Sequence, residues 1–369
     1  MSDTFLEKLE VQLAKQLPFV LYRKPNENKV HAILQYDDAL NFVTDYSESG
    51  FVFAPFDVKC PAVLMPLDEK ISIGQPSKFR AIPLSKTKHY EQDGYRAAHI
   101  ALVNKAKSVI DGGIIEKLVL SRSLKVSHST SPLQLFLTLI DRYASAFCYL
   151  WFHPKIGMWL GATPEILLQL QNDSFTTMSL AGTQIAVGRE KPDWGRKELE
   201  EQAMVTEYIK KVLADKVTDL KIFGLESVLA GNLWHLRTKI TGRLSEDLKE
   251  LIQAMHPTPA VCGLPLEEAK KFILQNEAHD RAYYTGYLGE LNMLQEKSRA
   301  PNGKNIENRA YRSLLPMTAL YVNLRCMQLT LNEAIIYVGG GITKDSNPEM
   351  EWEETVNKSL TMLEVLYEA

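Results

Sequence analysis

What this chain has little of narrows it first. Four cysteines in 369 residues (Cys60, Cys148, Cys262 and Cys326) stand far apart, with no C-x-x-C pair and no histidine-rich spacing. That pattern argues against a zinc ribbon or a disulfide framework and predicts free, mostly buried thiols in a reducing compartment. No apolar run reaches the roughly 18 residues that a membrane span needs. The N-terminus, Met1-Ser2-Asp3-Thr4-Phe5, lacks the basic-then-apolar pattern of a secretory signal. A formal net charge of −3 supplies no basic surplus to hold nucleic acid or an anionic membrane. A cytoplasmic protein with neither kind of partner is expected. The triplet Gly339-Gly340-Gly341 lacks the G-x-G-x-x-G spacing of a dinucleotide fingerprint and reads instead as backbone donors beside an anionic ligand. No strong linker splits the chain, and no short repeat runs through it.

What remains is ordinary globular material, 45% hydrophobic and 24% charged, long enough for a large core. Periodicity predicts helices over 3–16, 90–110, 132–144, 196–213 and 266–277, with a last one opening at Asn347. Strands are expected at 19–22, 30–35, 50–55, 115–126, 146–152, 156–161, 175–180, 233–238, 320–326 and 334–338. The first 90 residues show no local chemistry and read as sheet framework within the same domain. A loop is expected over 61–88 and a polar linker over 296–312.

One helix breaks the usual pattern of charge outside, and the last carries an acidic face that by itself also reads as a solvated first turn suited to the helix dipole. In 196–213, Val205, Tyr208, Ile209 and Val212 form the apolar stripe; Glu201 falls inside it and Glu198 at its margin. A carboxylate facing the core is costly without a cation or strong donors. In the last helix, capped by Asn347 with Pro348 at its first position, Glu351, Glu354 and Lys358 share one face. Trp352, Val356, Leu360 and Leu363 form the expected apolar stripe beside them. Two acidic pairs on separate helices suggest a divalent-cation site. Elsewhere, Lys117 sits on a strand face with Ile115, Val119 and Ser121. An ammonium placed there, if truly inside, is desolvated and becomes a competent base. Glu165 opens an apolar run after Ala162-Thr163-Pro164, either as a turn cap or as an acid made weaker by burial. Arg325, in a buried-looking strand, suggests an anionic partner. His235, taken in isolation, reads sooner as a satisfied core histidine than as a site residue.

Taken in order, these strings resemble the chorismate-utilising enzymes, and most closely their isochorismate synthases. They are KLVLSR from Lys117, GATPE ending at Glu165, LAGT from Leu180, KELEE from Lys197, LWHL from Leu233, HPTPAVCG from His256, YTG from Tyr284, Arg325, and EWEET from Glu351 with Lys358. The resemblance runs from about residue 90 to the C-terminus. It divides the chain into a framework, 1–90, and a chorismate-binding catalytic region, 91–369, within one large α/β (α+β) domain. Two layered antiparallel sheets flanked by helices are implied, as in anthranilate synthase component I. It also implies Mg²⁺ on Glu201 and Glu354, with Glu198 and Glu351 completing the acidic set. Chorismate would touch Gly182, Thr183, His235, Thr238, Tyr284, Arg325, Gly339, Gly341 and Lys358. Lys117 would be the base that activates water toward ring carbon 2, and Glu165 the acid that protonates the hydroxyl leaving carbon 4.

The implied product is isochorismate, destined for menaquinone or a siderophore. Ala181 stands where aminodeoxychorismate synthases place a nucleophilic lysine, and no glutaminase subunit is expected. A monomer or weak dimer is anticipated. Salicylate synthases share the same key residues, and a catalytically silent chorismate-binding subunit is the alternative from another class. Thr163 and Gln202 depart from the frequent Ser and His of the family.

Overall fold

The computed structural model describes residues 2–74, 93–186, 191–231, 233–245, 247–298 and 312–367. Its strands pair antiparallel throughout, in one sheet of nine strands and another of ten. The strand Phe147–His153 shows how two layers arise from one pattern. Every residue in it is buried, but alternately: Phe147, Tyr149 and Trp151 enter the space between the sheets, while Cys148, Leu150 and Phe152 meet outer helices. Between the sheets lies an aromatic core in which Phe147 stacks on Tyr321 and Phe53 on Tyr283, each with ring centroids 4.2 Å apart. Helices Ser2–Ala14, Pro132–Arg142 and Pro348–Leu366 contribute to the core outside the nine-stranded sheet, and Arg196–Leu213 with Leu248–Met255 to the core outside the other. Among the described residues no helix is long and apolar enough to cross a membrane. Cys60 is exposed and the other three cysteines are buried, all free.

Several expectations need correction. The anticipated loop 61–88 begins with two strands, Val63–Met65 and Glu69–Gly74, which join different sheets; its remainder lies outside the described residues. Its Pro, Lys and Ser content concealed both strands; Glu69–Gly74 is an edge strand, where polar outward faces are normal. The expected linker 296–312 begins and ends inside strands: Tyr287–Ser298 and Arg312–Val322 pair with each other, and 299–311 lies outside the described residues. Arg325 is not in a strand. It occupies a left-handed turn, φ 49°, between Arg312–Val322 and Cys326–Leu329. In the last helix, Leu360 is exposed at 36% and the buried line runs through Trp352, Thr355, Ser359, Met362 and Leu366. Small hydroxyl side chains let this helix approach the sheet closely, and Thr355 Oγ1 accepts from Arg122 Nε at 2.8 Å.

The topology brings distant segments together by crossing between sheets. Gly157–Thr163 belongs to the nine-stranded sheet and Ile166–Gln171 to the other, so the chain changes layer at Pro164-Glu165. It crosses back beside that point, between Val322 and Cys326. The two crossings are hydrogen-bonded: Val322 N donates to Glu165 O, and Ala162 N to Arg325 O, both at 3.0 Å. Neither crossing can be regular strand, which is why a proline and a left-handed residue are tolerated there.

Candidate active site

A cavity opens where these crossings meet the glycine strand, Glu333–Ile342. It is lined by Glu165, Gly182, Thr183, Glu201, His235, Tyr284, Arg325, Gly339, Gly341, Glu354 and Lys358, which are eleven of the fifteen residues expected at the site. The triplet Gly339–Gly341 is not a loop. It continues the strand, opposite Ser121, Leu120 and Val119. The neighbour on its other edge stops at Cys326, opposite Tyr337, so the glycines border the cavity on that side. What their sequence contributes is also space. A methyl group on Gly341 would fall 2.2 Å from Glu201 Oε1, so only glycine admits that carboxylate. Gly182, at φ 68°, sits in the bulge that shifts the register between Ala181 and Thr183, and its carbonyl accepts from His235 Nδ1 at 3.1 Å.

Charge in the site is arranged in pairs. Lys117 is fully buried, its ammonium 2.9 Å from Glu201 Oε1. Lys358 Nζ donates to Glu354 Oε1 at 2.5 Å and to Gly339 O at 2.9 Å. Lys197 pairs with Glu351, whose side chain is 1% exposed. Burial alone would weaken Glu201 as an acid; Lys117 outweighs it, helped by Lys197 and Lys358, and holds the carboxyl below its ordinary range. Glu351 is pushed up, first by burial and then by Glu354, against the pull of Lys197.

Glu165 behaves differently. Among the described residues no lysine forms an ion pair with it, and burial lifts its carboxyl to about 8 despite the positive fields of Lys117, Lys358 and Arg325. It is therefore protonated at neutral pH. His235 is driven down to about 3, by burial and then by Arg325 and Lys358. A neutral ring fits its bonds: Nδ1–H faces Gly182 O, and Nε2 accepts from the Arg325 guanidinium at 3.4 Å. The histidine thus orients Arg325 as well as lining the cavity. Tyr284, stacked on Tyr337, is held protonated by burial.

Four expected residues do not line this cavity. Lys117 stands behind Glu201. Glu198 and Glu351 face an adjoining acidic cavity that shares Thr183 and Glu354 with the first. Thr238, expected to touch substrate, does not line the cavity; it is buried and accepts from Gln202 Nε2 at 3.2 Å. Gln202 also donates to Ser179 Oγ at 2.8 Å, a structural use for the position where the family often has His. Sequence reasoning gave no role to Lys197, although its place beside Glu198 in an acidic helix start was visible, nor to the wall residues Ala260, Val261 and Thr285.

The carboxylates suit a hard cation in chemistry. Among the described residues no group of three or more His, Cys, Asp or Glu side chains forms a ready metal cluster, since each of Glu201, Glu351 and Glu354 is drawn onto an ammonium. Yet Glu351 Oε2 is buried without a hydrogen-bond partner, and every donor is a carboxylate oxygen. Such a set matches Mg²⁺ far better than a soft metal, with ammonium groups standing in for its charge.

Comparison with known proteins agrees with the architecture. The model of the family described as chorismate binding enzyme matches residues 67–297, and a second model of the same description matches 317–364. The chain belongs to the chorismate-binding enzymes. Among curated members, the isochorismate synthase EntC of Escherichia coli (strain K12) is 30% identical over 224 residues, 57% of this chain. That match spans 51% of EntC, about half its length. Isochorismate synthase DhbC of Bacillus subtilis (strain 168) is 28% identical over 85% of this chain and 79% of DhbC. Among solved structures, MenF, the menaquinone-specific isochorismate synthase from E. coli, superposes with a TM-score of 0.72 at 19% identity, covering 95% of this chain and 88% of MenF. Anthranilate synthase component I from Streptococcus pneumoniae TIGR4 gives 0.65 at 17%, covering 93% and 89%. Structural likeness at such identity establishes the shared fold, which is the two-sheet α+β architecture expected from the sequence.

Proposed function

We propose that this chorismate-binding enzyme is an isochorismate synthase, converting chorismate reversibly to isochorismate with Mg²⁺ as cofactor. The observation that carries the reading is the contrast between Glu165 and Lys117. One is a carboxyl kept protonated near neutral pH at the cavity wall; the other is a buried amine whose charge is held by a single carboxylate, Glu201. Moving a hydroxyl along an allylic system needs such a pair, an acid for the leaving group and a base for the entering water. Glu165 donates its proton to the hydroxyl leaving carbon 4. Lys117, once neutral, takes a proton from the water that bonds to carbon 2, and the ring double bonds shift between the two carbons. Each turnover leaves Lys117 protonated and Glu165 ionised, so one proton must return from amine to carboxylate before the next.

Arg325, set by neutral His235, suits a substrate carboxylate, and Tyr284 closes the wall beside it. Glu198, Glu201, Glu351 and Glu354 would hold the cation, which would supply positive charge for a second substrate carboxylate and Lewis-acid polarisation of the ring. The small side chain of Ala181 in the wall supports water rather than an enzyme amine as nucleophile. The names of relatives span menaquinone and other isochorismate synthases, and the product here would enter one of those two uses.

The test is incubation of the pure protein with chorismate and Mg²⁺, with products separated by chromatography. Isochorismate is expected, and Lys117→Ala should abolish it while Mg²⁺-dependent chorismate binding persists. Salicylate with pyruvate as the main product would replace this reading with salicylate synthase. Unchanged chorismate would leave a silent binding subunit.

A further inference from the structure

The strand that carries Lys117 runs short of a neighbour on one edge. Gly263–Leu264 pairs only with Leu118 and Lys117, so the ladder lapses just where the cavity begins. Three of the next backbone groups along that edge are nevertheless bonded. Val119 N donates to Cys262 O at 2.8 Å, the last main-chain partner. Val119 O then accepts from Arg281 NH2 at 2.6 Å, and Ser121 N donates to Glu277 Oε1 at 2.7 Å. The side chains of Glu277 and Arg281 continue the sheet edge where no strand does.

Those two side chains are themselves a bidentate pair, Arg281 Nε to Glu277 Oε2 at 2.8 Å and NH2 to Oε1 at 2.6 Å, each 2% exposed. The fork geometry of a guanidinium allows this while leaving donors over. NH1 uses them on Val261 O at 2.8 Å and on Thr285 Oγ1 at 3.4 Å. The Arg281 carbonyl accepts from Tyr284 N at 2.8 Å. Its guanidinium lies over the Phe56 ring, 4.5 Å from the centroid. One buried arginine therefore ties together Val119, Val261, Tyr284 and Thr285, four cavity-wall residues on three separate segments, without lining the cavity itself.

We propose that the Glu277–Arg281 pair is the positioning clamp that fixes the Lys117 strand against the Tyr284–Thr285 turn and the Ala260–Val261 crossing. Its effect on rate, though not its existence, rests on the activity proposed above. A lysine at 281 can keep the charge but cannot reach Glu277 and two carbonyls at once. Glutamine at 277 keeps the shape and loses the charge that holds the guanidinium.

The experiment compares wild type, Arg281→Lys, Arg281→Ala and Glu277→Gln with Mg²⁺ saturating. It reads kcat and KM for chorismate and, separately, hydrogen–deuterium exchange of peptides covering 115–123. Arg281→Ala should lose about 100-fold in kcat, the size of an ångström-scale misplacement, with little change in KM. Added guanidinium ion should restore part of that rate and leave wild type unaffected. Exchange should quicken in 115–123 and stay unchanged in the helix Arg196–Leu213. Arg281→Lys and Glu277→Gln should fall between, and they carry the test if Arg281→Ala does not fold. Wild-type kcat and exchange in the folded variants would overturn the clamp, as would a loss expressed only in KM. A wild-type protein that leaves chorismate unchanged would instead defeat the proposed activity, and the exchange measurement would still decide the clamp.

Discussion

Glutamine at position 165 should make this protein inactive and, in alkaline solution, more stable. Glu165 titrates at about 8 in the folded protein against an ordinary 4.5, and burial is the main cause. A carboxyl raised by folding holds a proton that the unfolded chain releases, so wild-type stability falls as pH rises from 4.5 through 8. Linkage puts the penalty near 1 kcal/mol at pH 5, about 3 at pH 7 and about 5 at pH 9. Glutamine has the same shape and no proton to lose. Chemical denaturation of Glu165→Gln and wild type should therefore diverge with pH, the variant gaining up to about 4 kcal/mol on wild type between pH 5 and pH 9. Relaxation and water entry into the opened cavity make that an upper bound. Turnover in wild type should fall on the alkaline side with an apparent pKa near 8, since the leaving hydroxyl then meets a carboxylate. A stability difference independent of pH would show that Glu165 ionises as easily in the fold as in water. The acid role, built on its burial, would go with it.

Two further substitutions probe the paired charges. Lys197→Met should tighten Mg²⁺ binding measured by calorimetry without substrate, by roughly tenfold, because Glu351 no longer carries a competing ammonium. The same change should cost the metal-free protein about 3 kcal/mol, since a buried carboxylate is left unpaired; weaker Mg²⁺ binding would refute the stand-in role. Gly341→Ala should push Glu201 off its place, where a methyl would sit 2.2 Å from Oε1 and 3.3 Å from Lys117 Cε. A loss of about 1–3 kcal/mol in thermal or denaturant unfolding and a drop in kcat are expected, while Gly224→Ala, with open space around the new methyl, serves as the silent control.

How much of this was visible in the sequence depends on which physical rule each residue obeys. Glu201 was legible because it violates a rule: a carboxylate within an apolar helical stripe needs compensation, and the helix wheel locates it without knowledge of the fold. Glu351 was harder, since an acidic first turn suits a helix dipole equally well, and only its 1% exposure separates the two explanations. Glu165 was placed rightly at a turn after a strand, whereas Arg325 was seen as chemistry but misjudged as geometry. Neither belongs to a regular element; each sits where the chain leaves one sheet for the other, and periodicity reads elements, not the passages between them. The glycine triplet was read as backbone donors beside an anionic ligand, just past the strand expected at 334–338. In the fold they are strand, and the missing side chain of Gly341 makes room for Glu201. Arg281 and Glu277 lay beyond any local pattern: an i,i+4 pair after a helix is a surface feature in most proteins. Here it is buried because Gly263–Leu264 pairs only with Leu118 and Lys117, and beyond it the pair bonds Val119 O and Ser121 N as a longer strand would have done.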